Sequence, residues 1–322
     1  MIVDLTPSDD QRMIEDGVRG FLQDRLPVER LREAKNHGGA AERALWQELS
    51  GLGLFALGCA EQDGGLGLGL AEEALVARAL GLFLVSPLVL AQLAAPHFAA
   101  DADLRAALIA GTARAAFANS LGDGSAHLID GDEAEHILLL SPEGAVLLPR
   151  NALGEALVTA GMDETISLAK ASVPSTVPAR CTYADRTSLL IAAYLTGIAQ
   201  AATTMAVAYA KTREQFGQPI GAFQAIKHQC ADMAARAAAA EAQSFYTAVG
   251  CGNGLDDASE IAAARMLAAR AAIDNARANI QIHGGMGFTA ECDAHLYLKR
   301  AHLMAMLGTS RAAERQRLLG RG

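Results

Sequence analysis

Two segments of the chain carry residue types that suit the binding of a phosphorylated ligand. The first runs from Arg213 to Gln224 (REQFGQPIGAFQ) and combines an arginine with glutamines, two phenylalanines and two glycines. A guanidinium group makes charge-assisted hydrogen bonds to phosphate oxygens, often two at once. Gly217 and Pro219 also suit the end of one helix and the beginning of the next, so an ordinary interhelical turn is the alternative interpretation.

The second segment runs from Gln281 to Glu291 (QIHGGMGFTAE) and places three glycines within four positions, at Gly284, Gly285 and Gly287. Glycine lets the backbone approach a ligand closely, and free N–H groups at the beginning of a helix bind phosphate. One such cluster is a weak signal. The two segments in this order, about seventy residues apart, are far more specific.

Both segments interrupt stretches with helical periodicity. The pattern predicts helices over residues 7–26, 41–52, 70–80, 87–98 and 102–110, and again over 222–249 and 258–282. Ser8 or Asp9 is expected to cap the first helix. Between residues 111 and 184, short apolar runs at 134–141 and 144–149 predict strands separated by turns. We therefore expect a mainly α fold with a helical domain (1–112), a small β domain (113–184) and a C-terminal helical bundle (185–322).

One of the predicted helices requires a membrane test. Residues 189–210 carry no charge over a length that could cross a bilayer. Thr196, Gly197, Gln200 and two further threonines interrupt the run, which is built on alanine. A helix that is apolar on nearly all sides is expected at the centre of a large bundle. We therefore predict a buried core helix and no membrane span.

Composition excludes several classes of protein. The 322 residues include 27 Lys and Arg against 36 Asp and Glu, which gives a net charge of −9 and disfavours nucleic acid as a partner. Five dispersed cysteines without a C-x-x-C pair predict neither a disulfide framework nor a zinc site. His283, His295 and His302 lack metal-ligand spacing, so no metal site is predicted. The acidic N-terminus shows no export pattern, and a cytoplasmic location is expected.

The two segments, in this order on helices that follow a β region, resemble the acyl-CoA dehydrogenase family of flavoproteins. The N-terminal helices and the turn 63–67 (DGGLG) extend the resemblance over most of the chain, and it is weakest in the middle. The resemblance implies an N-terminal helical domain, a middle β domain and a C-terminal four-helix bundle, usually assembled as a tetramer. It also implies FAD as cofactor, an acyl-CoA substrate and electron-transfer flavoprotein as electron acceptor.

The resemblance further implies roles for the matched residues. In the family FAD lies across a subunit interface, and these motifs hold its diphosphate and adenosine for the neighbouring chain. Arg213 would pair with the diphosphate, and Gln215 and Phe216 would line the same cleft. The residues of the second segment that would approach the nucleotide are Gln281, Gly284, Gly285 and Gly287.

The catalytic base of the family is missing from its usual position. The family's chemistry removes a proton from the carbon alpha to a thioester, so it needs a carboxylate within hydrogen-bond reach of that carbon. In most members a Glu directly precedes a Gly-Thr pair. Here Leu307 precedes Gly308, and no Asp or Glu occurs between residues 293 and 314.

Two weaker candidates for a base remain. A minority of the family supplies a Glu about 26 residues before the motif arginine, which falls on Thr187. Asp185 is the nearest carboxylate, but two positions turn a helical side chain by about 200°. Glu291 matches a family Glu for which a structural or capping role is the expected one.

The middle region departs from the family as well. A family β domain has about 100 residues, with a Thr-Glu-Pro segment and a Trp-containing strand that hold the flavin ring. This region has only about seventy residues, segment 117–125 is the nearest match, and the sole Trp46 lies in the N-terminal helices. The half of the site that holds the flavin ring is therefore expected to be eroded.

These losses fall on one half of the site, and the hypothesis that follows is a shortened subunit of a bacterial α2β2 heterotetramer. Such a subunit would complete the FAD site of a homologous partner that carries the Glu, as in family members acting on steroid side chains or dicarboxylic acyl-CoA thioesters. One alternative is a self-sufficient homotetramer with a relocated base. Another is a non-catalytic acyl-CoA binder or assembly scaffold.

The C-terminal stretch is locally basic. Lys299, Arg300 and four arginines from Arg311 to Arg321 outnumber the single Glu314. A solvated helix end, favoured by the helix dipole, and a patch that faces an anion both explain this pattern. The sequence does not decide between the two, and it does not reveal the acyl group of the substrate.

Overall fold

The computed structural model describes residues 5–175, 184–251 and 257–320, without the side chains of residues 184, 185 and 257. Six helices form the N-terminal part: α1 (Asp9–Arg25), α2 (Ala40–Ala44), α3 (Trp46–Gly51), α4 (Leu70–Leu82), α5 (Pro87–Ala94) and α6 (Ala102–Ile109). Ser8 caps α1, since its Oγ accepts a hydrogen bond from the Gln11 N–H while the Gln11 side chain accepts one from the Ser8 N–H. The predicted helix 41–52 is divided at Leu45, and the predicted helix 87–98 ends in a short 3-10 turn at 95–98.

A six-stranded sheet follows these helices. Its strands are β1 (Ala115–Ser120), β2 (Ser125–Ile129), β3 (His136–Ser141), β4 (Gly144–Pro149), β5 (Leu157–Val158) and β6 (Leu168–Ser172). The spatial order is β4-β3-β1-β2-β6-β5, with β1 and β3 parallel and every other pair antiparallel. The runs 134–141 and 144–149 were expected as strands and correspond to β3 and β4.

The C-terminal part is a helical bundle. It contains α7 (Ala184–Thr212), a hairpin of β7 (Glu214–Gln215) and β8 (Gln218–Pro219), α8 (Gln224–Gly250), α9 (Asp257–His283), α10 (Ala294–Ala305) and α11 (Arg311–Leu318). By length and composition α7 could cross a membrane, but most of that stretch is buried. It packs against α4, α8 and α9, as expected for a core helix.

Gly217 and Pro219 have a different role from the one expected. Instead of ending one helix and opening the next, they belong to the β7–β8 hairpin. The hairpin stands between the end of α7 at Thr212 and the beginning of α8 at Gln224.

A buried polar network joins the three parts of the molecule at Arg300. Its side chain is 1 % exposed, and its Nε donates to Asp163 Oδ2 at 2.8 Å, next to the sheet. Its Nη1 donates to the carbonyl oxygens of Leu84 and Val85, at 3.0 and 3.1 Å, and to the Tyr194 hydroxyl on α7 at 2.9 Å. Within the basic C-terminal stretch, Arg300 is therefore a buried structural residue and not part of a solvated helix end.

The order of elements, helices followed by a small sheet and then helices, is confirmed by the structure. The exact domain boundaries after residues 112 and 184 stay a prediction. What matters for the site is that the sheet and the bundle both contact the segment between α10 and α11.

Candidate functional site

Helices α7 and α9 run parallel, and this brings the two sequence segments to one end of the bundle. Asn275 Nδ2 donates to Thr203 Oγ1 at 3.0 Å, and further along both helices the ring of His283 stacks on Tyr209 with centroids 4.1 Å apart. From the first pair to the second, the residue number rises on both helices, so the two helices run in the same direction. The end of α7 at Thr212 and the end of α9 at His283 therefore lie side by side.

The first segment forms a tight hairpin directly after α7. The Arg213 N–H donates to the Tyr209 carbonyl at 2.8 Å, and the Ile220 N–H donates to the Arg213 carbonyl at 2.8 Å. The turn residues Phe216 and Gly217 both have positive φ, +54° and +77°, as a type I′ hairpin turn requires. A left-handed conformation is costly for Phe, about 1–3 kcal/mol. The Phe216 side chain is 90 % exposed at the tip of the hairpin.

The second segment is a 3-10 turn, Gly284–Phe288, and its glycines have two distinct environments. Gly284 has φ +62°, and a Cβ added to Gly284 or Gly285 would have no other atom within 4 Å. A Cβ on Gly287 would lie 2.7 Å from the Ile280 carbonyl oxygen. Gly287 is therefore needed for packing, whereas the backbone of Gly284 and Gly285 is open to an approaching ligand.

The side chains around these two turns suit a phosphorylated nucleotide. Arg213, Gln215 and Gln281 are exposed, and Arg213 has no ion-pair partner among the residues that the structure describes. A free guanidinium group, amide side chains and an exposed aromatic ring can meet a diphosphate, a ribose and an adenine. The residues present therefore fit the nucleotide portion of FAD. Their individual roles stay predictions.

The loop that would carry the catalytic carboxylate is held in a fixed position. The Leu307 carbonyl accepts a hydrogen bond from Arg265 Nη2 at 2.8 Å, and the Gly308 N–H donates to Asn119 Oδ1 at 2.8 Å. Leu307 is 2 % exposed and belongs to the main apolar core. The loop is thus held between α9 and β1. The residue at the expected base position is Leu307, whose buried alkyl side chain cannot take a proton.

Sequence reasoning missed Asn119 and Arg265. Asn119 lies in the segment 117–125, in which a flavin-ring pocket was sought, and Arg265 lies in an Ala-rich helical stretch. Their hydrogen bonds span 189 and 42 positions in the chain. Only the folded structure reveals these contacts, because no local pattern marks them.

At the other family position for a base, the described residue supplies no carboxylate beside this loop. The Asp185 side chain lies outside the described residues. Thr187, two positions later on α7, is 1 % exposed, and its Oγ1 has no hydrogen-bond partner among the described residues. Thr187, Gly308 and Thr309 border a cavity of about 20 Å³, which is room for a water molecule but not for an acyl chain.

Glu291 is exposed and lies before the beginning of α10, whereas Leu307 follows its end. The twelve residues of α10 rise about 18 Å. Glu291 therefore belongs to the end of the molecule with the glycine turn. The nearest acidic residue after the loop is Glu314, whose Oε1 lies 3.6 Å from Arg265 Nε.

The three histidines have unequal environments. His283 is 7 % exposed, and its Nδ1 contacts the Asn279 carbonyl at 2.8 Å. Its buried ring lies at the end of α9, directly before the glycine turn. Burial lowers the pKa of His295 and of His302, and nearby Lys299 and Arg277 act in the same direction. Within the described ranges no group of His, Cys, Asp and Glu side chains could hold a metal ion.

Comparison with known proteins shows the family to which this fold belongs. The chain belongs to the acyl-CoA dehydrogenase family. The family models for the N-terminal and C-terminal domains of acyl-CoA dehydrogenases match residues 8–102 and 183–318. Acyl-CoA dehydrogenase IpdE2 of Mycobacterium tuberculosis is 34% identical over 313 residues, covering 94% of each chain.

Solved structures share the fold. A steroid ACAD, Tcur3481-Tcur3483, superposes with a TM-score of 0.82 at 24% identity and 97% coverage of both chains. The ChsE4-ChsE5 complex from Mycobacterium tuberculosis superposes with a TM-score of 0.80 at 21% identity, covering 99% of this chain and 100% of the other. The expected family, fold class and cofactor of the family, FAD, are confirmed.

Proposed function

We propose that this chain is the subunit of a heteromeric acyl-CoA dehydrogenase that does not carry the catalytic base. It holds the nucleotide portion of FAD for a homologous partner subunit, and the partner supplies the carboxylate that removes the alpha proton. The observation that carries this proposal is Leu307, a 2 % exposed alkyl side chain in place of the base.

Proton abstraction needs a carboxylate within hydrogen-bond reach of the alpha carbon. In this chain the loop at Gly308 is held by Asn119 and Arg265, so Leu307 has no freedom to move aside for another residue. The alternative position on α7 is a threonine beside a cavity of about 20 Å³. Neither Leu307 nor Thr187 can therefore accept the alpha proton of a thioester.

The opposite end of the bundle keeps what a nucleotide needs. Arg213 would neutralise the diphosphate, Gln215 and Gln281 would donate or accept hydrogen bonds, and Phe216 would offer an aromatic face. Gly284, Gly285 and Gly287 would shape the backbone that approaches the nucleotide. FAD bound there would accept the hydride that leaves the beta carbon of a substrate held by the partner.

The comparisons support a heteromer and indicate a class of substrate. The fold matches a chain of the ChsE4-ChsE5 complex and one of a steroid ACAD. We infer an α2β2 assembly that acts on an acyl-CoA thioester with a bulky polycyclic acyl group. Electron-transfer flavoprotein is the expected acceptor of the electrons, and the cytoplasm is the expected location.

The test is co-expression of this chain with a family homologue that carries the Glu before the Gly-Thr pair, followed by measurement of the subunit ratio and the FAD content. Equal subunits, bound flavin and turnover are expected for the pair, with little flavin and no turnover for the chain alone. In the pair, Arg213→Gln is expected to weaken FAD binding about tenfold or more, because a hydrogen bond to a charged group contributes about 1.5–3 kcal/mol. Arg12→Gln is the matched control, since Arg12 is exposed on α1 and paired with Asp9.

Two results would overturn the proposal. Stoichiometric flavin together with dehydrogenation by the chain alone would establish a self-sufficient enzyme. A stable pair whose flavin content does not respond to Arg213→Gln would leave this chain the role of an assembly scaffold.

A further inference from the structure

Tyr209 contacts both of the segments at the nucleotide end of the bundle. It lies in the last turn of α7, and its carbonyl oxygen accepts the Arg213 N–H at 2.8 Å. Its ring stacks on the buried ring of His283 at the end of α9, with centroids 4.1 Å apart and an angle of 23° between the planes. Its hydroxyl group donates to Met286 Sδ, inside the glycine turn, at 4.0 Å. One side chain therefore links the β7–β8 hairpin to the glycine turn.

Both rings of this stack are held by their surroundings. The His283 Nδ1 contacts the Asn279 carbonyl oxygen at 2.8 Å, which orients the imidazole ring. The Tyr209 ring packs against a small apolar cluster formed by side chains of α7, α8 and α9: Ala206, Ala210, Met233 and Ile282. Ile220, directly after the hairpin, packs against the same cluster. The separation between the ends of α7 and α9 is therefore set by packing around the Tyr209 ring.

The polar contacts between α7 and α9 lie further from the two segments than the stack does. Asn275 Nδ2 donates to Thr203 Oγ1 at 3.0 Å, and Asn279 Nδ2 lies 3.4 Å from Met205 Sδ. Thr203 precedes Tyr209 by six positions, about 9 Å along the helix axis, and a thioether is a weak acceptor. Beyond these contacts, the position of each helix end depends on the stack.

A fixed separation matters for a ligand that contacts both segments at once. A hydrogen bond weakens steeply when its atoms are displaced from the ordinary distance. Groups that are already in place before binding also lose less conformational entropy when the ligand arrives. Arg213 and the glycine turn would therefore bind one nucleotide tightly only while the ends of α7 and α9 keep their separation.

We propose that Tyr209 is a positioning residue for FAD. It acts through Arg213 and the glycine turn, and its ring, stacked on His283, holds these two segments at the distance that the nucleotide requires. This inference rests on the function proposed above, because that function assigns the two segments to the nucleotide of FAD.

The experiment measures the dissociation constant of FAD in the complex of this chain with its partner, from the flavin fluorescence released on dilution. Tyr209→Leu removes the ring and is expected to weaken FAD binding about three- to tenfold, the factor that one aromatic contact contributes. Tyr209→Phe keeps the stack and should stay within about twofold of the unmodified complex, since a thioether is a weak acceptor. His283→Leu removes the other ring and should weaken binding like Tyr209→Leu, which keeps the test decisive if one variant fails to fold.

Phe245→Leu is the matched control for the loss of an aromatic ring. Phe245 lies on α8, about 30 Å along the helix from Gln224, and packs against the main apolar core. Its variant should lower the urea unfolding midpoint of the chain and leave the dissociation constant of FAD unchanged. This is the behaviour of a residue whose role is only structural.

Combining Tyr209→Leu with Arg213→Gln separates positioning from packing. An arginine that is out of place contributes less to binding, so the double variant should lose less affinity than the product of the two single losses. Losses that multiply would overturn the inference. So would FAD affinities of Tyr209→Leu and His283→Leu equal to that of Phe245→Leu, or a loss in Tyr209→Phe as large as that in Tyr209→Leu.

Failure of this inference is distinguishable from failure of the proposed function. If Arg213→Gln weakens FAD binding while Tyr209→Leu and His283→Leu do not, the proposed function stands and the positioning role is wrong. If Arg213→Gln has no effect on FAD binding, both are wrong.

Discussion

At the scale of single residues, the glycines of the 284–287 turn have two different surroundings. Some are needed for packing, and others leave the backbone open to solvent or a ligand. The sequence predicts all three glycines of the 284–287 turn as one ligand-facing group. The structure divides them, because a Cβ on Gly287 would contact the Ile280 carbonyl oxygen while Gly285 has open space. No local pattern contains this difference, since it depends on how the turn folds back on the end of α9.

Gly285→Ala and Gly287→Ala are therefore expected to fail in different ways. Gly285→Ala should keep the stability of the chain within about 0.5 kcal/mol, but lower the FAD content of the co-purified pair, because the methyl group would stand where we propose that the nucleotide approaches. Gly287→Ala should lower stability by about 1–3 kcal/mol through overpacking. Urea unfolding of the chain and flavin content of the pair are the two measurements. Equal flavin content in the Gly285→Ala pair and the unmodified pair would contradict the assignment of Gly285.

The residue at the position where the family usually has its base is predicted directly from the sequence. Leu307 is recognisable because it stands directly before a Gly-Thr pair at a fixed distance from the glycine turn. Its burial and the two hydrogen bonds that hold the loop follow from contacts with β1 and α9, which are distant in the chain. The sequence therefore predicts an alkyl side chain at this position, while the structure shows the two hydrogen bonds that hold the loop.

At the scale of elements, helical periodicity predicts most of the helices, and the sequence predicts a β region but locates only two of its six strands. The strand β1 (AAFANS) is as rich in alanine as the helices, and alanine has little β propensity. It becomes a strand because it pairs with β2 and β3 on either side. The runs that became β3 and β4 were predictable because they are dense in Leu, Ile and Val.

The contact between α4 and α7 is an element-level feature that sequence conceals. Gly81 on α4 and Gly197 on α7 each face the backbone of the opposite helix, so that an added Cβ on Gly81 would collide with the Tyr194 carbonyl and one on Gly197 with the Arg78 carbonyl. From the sequence alone, a glycine inside a helix is expected to lower the stability of that helix by about 1 kcal/mol relative to alanine. Here the glycines are what allows the two helices to approach.

Gly197→Ala is expected to destabilise the chain by about 1–3 kcal/mol or more, because the clash involves rigid backbone atoms and outweighs the gain in helix propensity. Gly17→Ala on α1 is the matched control. A Cβ at Gly17 meets no other atom, so this substitution should stabilise by up to about 1 kcal/mol. Urea unfolding midpoints compare the two. A Gly197→Ala variant as stable as the unmodified chain would refute the close helix contact.

At the scale of the whole molecule, buried polar groups join the N-terminal helices, the sheet and the bundle. Asp130 is fully buried at the end of β2, where it accepts hydrogen bonds from Ser86 Oγ at 2.5 Å and from the Ser167 N–H at 2.8 Å. Burial raises the pKa of Asp130 to about 7, although Ser86 and Arg300 act in the opposite direction. The sequence offers no sign of this network, because its members are scattered over the chain.

The raised pKa of Asp130 predicts a pH dependence of stability. Between the ordinary pKa of 3.8 and about 7, the folded chain keeps a proton that the unfolded chain has released, so stability falls as pH rises through this window. From about pH 5 to about pH 8 the loss from this one group is on the order of 2–3 kcal/mol. Asp130→Asn, which resembles the protonated carboxyl group, should remove that part of the slope in urea unfolding.

The matched control is Asp123→Asn. Asp123 is exposed, and its hydrogen bond with Ser125 keeps its pKa below the usual value, so it does not titrate in this window. Its variant should retain the slope of the unmodified chain. If Asp130→Asn retains the same slope as well, the carboxyl group of Asp130 is ionised throughout and the buried network carries a charge there.

The parallel alignment of α7 and α9 restricts how this architecture can change during evolution. The arginine hairpin and the glycine turn each begin where one of these helices ends, and their neighbourhood depends on the pairings of Thr203 with Asn275 and of Tyr209 with His283. Inserting one helical turn into either helix beyond those pairings would displace one motif by about 5.4 Å along the other. Insertions and deletions are therefore expected in the connections between helices. The parts of α7 and α9 beyond these pairings are expected to keep their lengths relative to each other.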